Sequence, residues 1–398
     1  MTATEEPRAY PFNEPRGLEM APLYAELRKS EPLARVRLAY GEDAWLVTRY
    51  ADVRTVLTDP RFGRAASLER DEPRTGPEGT GQGLLAMDPP EHTRLRTAVA
   101  RAFTARRIEP LRPRVQRITD DLLDTIAGMA PPMDLLEHFA LRLSVATICE
   151  LLGVPAADHE RIRVWADAML STSALPAELK TEYAGAVYGY MMGLVHQRRQ
   201  EPTDDLLGTL VQARDEQEHL SDDELIWMAI GLLIAGNENT ALQLCDSVYV
   251  LLRNPAEPAR LRARPDLIPQ AVDELLRYVP LQVAGAFPRY ASEDVELGGG
   301  VVRKGEPVIA DLMSANWDED VFDCPERLDF ARGANPHLAF GHGPHHCVGA
   351  PLARLELQVA LSALLRRFPD LRLAVSGDEL KWNSGRLFRG PVELPVTW

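Results

Sequence analysis

The spacing of apolar and polar positions predicts a mainly helical chain. Helical periodicity runs over 18–29, 50–58, 114–130, 137–152, 156–170, 178–199 and 267–278, and a further helix opens at Asp88-Pro89-Pro90. Ser221-Asp222-Asp223-Glu224 has the form of a capping box. It starts a run that reads as unbroken to Arg253, roughly 48 Å at 1.5 Å per residue. Strand-like alternation is sparse. It appears at 35–39 and 45–48 around Gly41-Glu42-Asp43, then over 295–309 and 371–397. Residues 281–287 form an apolar run with one polar member, Gln282, and Pro288-Arg289 follow. Residues 62–83 are rich in Gly, Pro and charge without periodicity, as in a lid or binding loop. A break at 171–176 separates two of the helices. No repeat, low-complexity tract or flexible linker divides residues 1–398, so the expectation is one domain, mainly α with a small β-rich side.

Composition narrows the function. The 398 residues are 45% hydrophobic with a net charge of −15, enough for a sizeable core and unsuited to broad nucleic-acid binding. Arginine outnumbers lysine 40 to 4, a bias expected of a GC-rich genome. Cys149, Cys245, Cys324 and Cys347 lie far apart with no CxxC pair, the pattern of reduced thiols in a cytoplasmic protein. The polar, Pro-rich first 17 residues and the lack of 18 consecutive apolar positions predict neither signal peptide nor membrane anchor.

The candidate chemistry centres on Phe340-Gly341-His342-Gly343-Pro344-His345-His346-Cys347-Val348-Gly349. Three glycines flank one cysteine, and a strongly helical run over 351–368 follows. Glycine lets backbone amides turn toward a sulfur, and a helix N-terminus adds positive potential. Both favour thiolate, the form that binds metal. The bland alternative is a buried cysteine on an ordinary loop. Phe-Gly-x-Gly-x-His-x-Cys-x-Gly resembles the haem-binding loop of the cytochromes P-450, and further motifs extend the resemblance over nearly the whole chain. It implies haem b with Cys347 as axial ligand, and Phe340, Gly341, His345 and Gly349 around it. A thiolate in that position favours O–O cleavage.

Other motifs fall into place under the same resemblance. His92 and Arg96 share a helix face by i,i+4 spacing; alone they read as a solvated basic face, and in the family such a pair binds haem propionates. Ala235-Gly236-Asn237-Glu238-Asn239-Thr240 resembles the oxygen-activation motif of the long I helix. Ala235 and Gly236 would face the haem, and a mid-helix glycine fits the close approach of something large and flat. Glu238 matches the motif's acid. Asn239 stands where the family usually has a threonine, and Thr240 follows, so these three are the candidate proton-handling residues. An amide cannot relay a proton as a hydroxyl does. On their own the three read equally as a structural polar cluster.

Glu274 and Arg277 match Glu-x-x-Arg, with Arg327 of Pro325-Glu326-Arg327-Leu328 as the expected third member; taken alone, they are a weak surface pair. Arg289 would reach a propionate, or be a plain edge-strand charge. Leu84, Leu85, Ala86, Met87, Val283, Ala284 and Phe388 would line an apolar substrate pocket beside Ala235. Eight arginines lie between Arg94 and Arg117 against the single acid Glu109. Arg101, Arg106, Arg107 and Arg112 would dock an acidic ferredoxin or flavodoxin carrying electrons from an NAD(P)H reductase; the alternative is a helix pair coated with long side chains. The resemblance implies a haem-thiolate monooxygenase, with the haem between the long helix and the Cys347 loop, acting on a hydrophobic natural product. Asn239 keeps oxidative coupling or rearrangement without oxygen insertion as an alternative. A non-catalytic haem sensor or electron carrier is more remote.

Overall fold

The early hairpin forms as its alternation predicts. Leu33–Arg37 pairs antiparallel with Ala44–Val47, Leu33 opposite Val47 and Val36 opposite Ala44. Val36, Leu46 and Val47 are buried. Gly41 in the turn has φ +86°, and a Cβ there would stand 2.1 Å from the Glu72 carbonyl oxygen, so only glycine fits. The computed structural model describes residues 6–12, 17–77, 83–170, 176–217, 221–285, 287–384 and 386–398. Most of the predicted break at 171–176, and 78–82 of the long loop, lie outside the described residues.

The chain forms two compact units. The first takes residues 1–91, 273–347 and 382–389, the second 92–272, 348–381 and 390–398. In the first, the described strands of the main sheet run in the order Arg8–Ala9, Leu33–Arg37, Ala44–Val47, Pro307–Ala310, Arg289–Ala291, Phe62–Gly63. The helix Tyr50–Thr58, where the periodicity placed it, buries Tyr50, Val53 and Val56 with Phe62, Val308, Phe322 and Leu338.

The apolar run 281–287 is not a regular strand. Val283 N–H donates to the Leu387 carbonyl at 3.0 Å, and Gln282 makes an isolated bridge to Phe388. Pro280 and Pro288 deprive its ends of N–H donors, and Phe287 sits at φ +61°. The strand begins only at Arg289. It lies inside the sheet between Pro307–Ala310 and Phe62–Gly63, which rules out the edge-strand reading of Arg289.

The second unit is helical, with Glu91–Ala102, Arg112–Ala127, Leu141–Leu152, His159–Leu170, Ala177–Gln200 and Ala350–Arg367 close to expectation. Leu206–Gln217 and Ala256–Ala263 are helices the periodicity did not separate. The Ser221 capping box forms, with Ser221 Oγ accepting from Glu224 N–H at 3.1 Å and Glu224 Oε2 from Ser221 N–H at 2.7 Å. The long run is not continuous: Asp222–Ala235 ends, and a new helix, Glu238–Arg253, begins. Asn237 N–H reaches back to Ile234, and Asn237 has ψ −85°. Gly and Asn in succession are both weak helix formers, which is why the break falls there. A Cβ on Gly236 would lie 3.0 Å from the Ile148 side chain, so this glycine eases the close approach of the Leu141–Leu152 helix. Length and composition would let Asp222–Arg253 cross a membrane, but 56% of its apolar window is buried, as in a core helix.

On Ala350–Arg367, buried Glu356 accepts from Ser144 Oγ at 2.7 Å. Burial raises its carboxyl pKa to about 7, against the opposing Ser144 bond. The folded state therefore holds a proton that the unfolded chain releases near pH 4.5, so this group's contribution falls as pH rises from about 4.5 to 7. Glu356→Gln is expected to remove that slope and to be more stable above pH 7 by up to about 3 kcal/mol. Thermal midpoints of both proteins at pH 5 and pH 8 check this.

Candidate active site

Cys347 closes a tight loop in the first unit. Gly341 and Gly343 have φ +69° and +71°. A Cβ on Gly343 would lie 2.3 Å from the Leu57 carbonyl oxygen, so glycine lets the loop abut the end of the Tyr50–Thr58 helix. Cys347 N–H donates to the Phe340 carbonyl at 2.8 Å and His346 N–H to Gly343 at 3.0 Å. The Cys347 amide is thus committed to the loop rather than turned toward its own sulfur. Phe340, Gly341 and His345 are half-buried, while Cys347 is exposed. Burial pushes the Cys149 thiol up to about 12 and that of Cys245 well upward, so both stay protonated. Gly349 falls in the second unit, immediately before Ala350–Arg367.

Behind the loop, Glu274 and Arg277 form a buried pair at 2.8 Å, each 1% exposed. Arg277 also donates to the carbonyls of Asn316 at 3.0 Å and Pro325 at 2.9 Å. Arg327 is not the third member. Its side chain is 71% exposed, and only its carbonyl oxygen takes part, 3.4 Å from Arg277 Nη2. Arg332, five residues on, donates to Glu274 Oε2 at 3.0 Å from a nearly buried position. The chain turns after Arg327, so a motif ending there stops short of the side chain that points inward.

Arg289 is buried, and its side chain has no hydrogen bond or ion pair among the described residues. Burial, reinforced by Arg64, lowers its pKa to about 10, while Asp88 opposes. A buried cation without an anion is costly unless something negative meets it. Of the pocket candidates, Ala86 and Ala284 are buried, Leu84, Met87, Val283 and Phe388 half-buried, and Leu85 45% exposed. The Val283–Leu387 and Gln282–Phe388 pairings bring the last of these, Phe388, beside the 283–284 stretch.

The second unit carries the remaining candidates. His92 is 2% exposed and Arg96, one turn on, is half-buried. Ala235 is exposed, Glu238 buried, and Asn239 and Thr240 are half-buried in the first turn of the restarted helix. The sequence reading passed over Asn237. It is 2% exposed, its Oδ1 has no hydrogen-bond partner among the described residues, and it sits at the break itself. Polar Asn directly after Gly was the available signal. The arginine cluster is partly neutralised. Arg94 pairs with Glu224, Arg112 with Glu109 at 2.5 Å and Arg114 with Glu150 at 2.7 Å. Arg101, Arg106 and Arg107 are exposed without an acidic partner among the described residues.

The chain matches the family Cytochrome P450 over residues 171–380, more than half its length. It is 56% identical to mycinamicin IV hydroxylase/epoxidase of Micromonospora griseorubida over 393 residues, 99% of each chain. It is 52% identical to nocardicin C N-oxygenase of Nocardia uniformis subsp. tsuyamanensis, covering 100% of both. The solved structure of the mixed-function P450 MycG superposes with a TM-score of 0.96 at 56% identity, covering 99% of this chain and 100% of that one. Fold and site together define a haem-thiolate monooxygenase. The chain belongs to the cytochrome P450 family. Its residues fit the haem of that family: an exposed thiol on a rigid Gly-rich loop and a buried arginine lacking an anion.

The buried network yields a direct comparison. Arg332→Ala should destabilise the protein by about 3 kcal/mol by leaving Glu274 under-compensated. Arg327→Ala should change stability by less than about 0.5 kcal/mol. Urea unfolding of the two variants measures both, and the reverse order would restore Arg327 as third member.

Proposed function

We propose that this chain hydroxylates or epoxidises a largely hydrophobic small molecule of natural-product biosynthesis, as one cytoplasmic domain. The observation that carries the reading is the Cys347 loop within a chain whose full length aligns with oxygenases. Each compact unit is assembled from three separate stretches, which supports treating residues 1–398 as one folding domain.

In this reading the Cys347 thiolate would hold the haem iron, while Arg289, His92 and Arg96 would neutralise the haem propionates. Bound haem supplies the dioxygen activation that no side chain can provide. Glu238, at the start of the restarted helix, holds or moves protons, with Asn239 and Thr240 as hydrogen-bonding partners. Asn237, its amide oxygen unpartnered, offers an acceptor for an ordering water at the break. Leu84, Leu85, Ala86, Met87, Ala235, Val283, Ala284 and Phe388 orient the substrate and exclude water. One oxygen atom enters product and the other leaves as water, with two electrons from NAD(P)H. Those electrons arrive through a separate ferredoxin or flavodoxin and its reductase, docking at Arg101, Arg106 and Arg107 with Arg112 at the margin.

Turnover of mycinamicin IV or nocardicin C under heavy-isotope dioxygen tests the chemistry. The expected product retains one labelled oxygen; an oxidised product without label would establish coupling or rearrangement instead. The docking face has its own test. Replacing Arg101, Arg106 and Arg107 together by Glu should slow ferredoxin-driven reduction about tenfold at low salt, with the difference shrinking at high salt. An unchanged stopped-flow reduction rate would place the partner elsewhere.

A further inference from the structure

Arg64 follows the Phe62–Gly63 strand and has no exposed surface. Its Nε donates to the Leu85 carbonyl at 3.2 Å, and its Nη1 donates to the Pro288 carbonyl and to Glu72 Oε2, the latter at 3.3 Å. Its guanidinium lies 5.6 Å from the centre of the Phe287 ring. Phe287 is one of two described non-glycine residues with positive φ, an uncommon conformation for a bulky side chain that the surroundings must hold. The backbone beside Arg64 is pinned as well: the Asp88 carboxylate accepts from Arg64 N–H and Ala65 N–H at 2.8 Å each. Arg64 Nη2 is buried with no hydrogen-bond partner among the described residues, so the pairing seen there does not by itself account for placing a guanidinium at this spot.

We infer that Arg64 is a positioning residue that sets substrate specificity, by fastening the Leu84–Met87 turn to the Phe287–Pro288 segment as one rigid wall. The inference rests on the pocket assignment above. The two segments lie some 200 residues apart in sequence, and both belong to stretches holding candidate substrate residues. One planar fork reaches both carbonyls and still lies beside the Phe287 ring, which a lysine ammonium cannot do. Loss of the fork frees the turn and Phe287 separately. It changes the room for a large ligand while leaving space for a small one.

Two ligands of the ferric holoenzyme read this out by absorption titration. Imidazole needs little room beyond the iron, whereas 4-phenylimidazole reaches toward the pocket wall. Arg64→Gln should weaken 4-phenylimidazole about tenfold while changing imidazole less than about twofold. Arg64→Lys should behave like Arg64→Gln, since charge without the fork does not bridge. Equal changes for both ligands, no change, or full rescue by lysine would overturn the inference. If the Arg64 variants do not retain haem, Phe287→Gly relaxes the same wall with Arg64 in place. It should shift the ratio of the two affinities, and an unshifted ratio is equally decisive against the inference. Val283→Phe separates the underlying reading: if it leaves 4-phenylimidazole binding untouched, the pocket assignment fails irrespective of Arg64.

Discussion

The first unit depends on one buried carboxylate. Glu274 accepts from Arg277 Nε and Nη2, Arg332 Nε, Asn335 Nδ2 and the Asp329 amide, all between 2.8 and 3.3 Å. Two guanidinium groups against one carboxylate outweigh its desolvation only because nearly every lone pair and donor is engaged. Arg277 spends its remaining donors on the carbonyls of Asn316 and Pro325, fastening the irregular 316–335 segment to the Ile268–Tyr278 helix. The constraint passes on from there. Asn316 Oδ1 accepts from Leu338 N–H at 2.6 Å, and Tyr50 donates to the Pro336 carbonyl at 2.7 Å. Gly343 then rests on the end of the Tyr50–Thr58 helix. Cys347 is presented by a loop whose approach is fixed several residues upstream.

Trp317 is held between two residues that fix the backbone around it. Its indole N–H donates to the Tyr278 carbonyl at 3.2 Å, and its ring lies 5.4 Å from that of Tyr278. The flanking Asn316 and Asp318 keep their backbone-holding roles, Asp318 accepting from Tyr50 N–H at 2.7 Å.

Elements governed by local physics were legible in the sequence. The 50–58 helix, the Ser221 capping box and the early hairpin each follow from spacing or capping within a few residues. The loop that presents Cys347 was legible because two of its glycines, Gly341 and Gly343, take a positive φ. What escaped was set by distant partners. Arg332 could not be told from Arg327 without knowing which way the chain turns. The close packing of Gly236 involves Ile148 on another helix. Asn237 was hidden by a periodicity that continues across the break although the helix does not.

The central claim is that Cys347 holds haem iron as a thiolate. The most direct measurement is the absorption difference spectrum of dithionite-reduced protein with and without carbon monoxide. The account predicts the strongly red-shifted Soret band of a thiolate-ligated carbonyl complex, lost on Cys347→Ser. A band where imidazole-ligated haems absorb in undamaged protein, or a red-shifted band that survives Cys347→Ser, would contradict it.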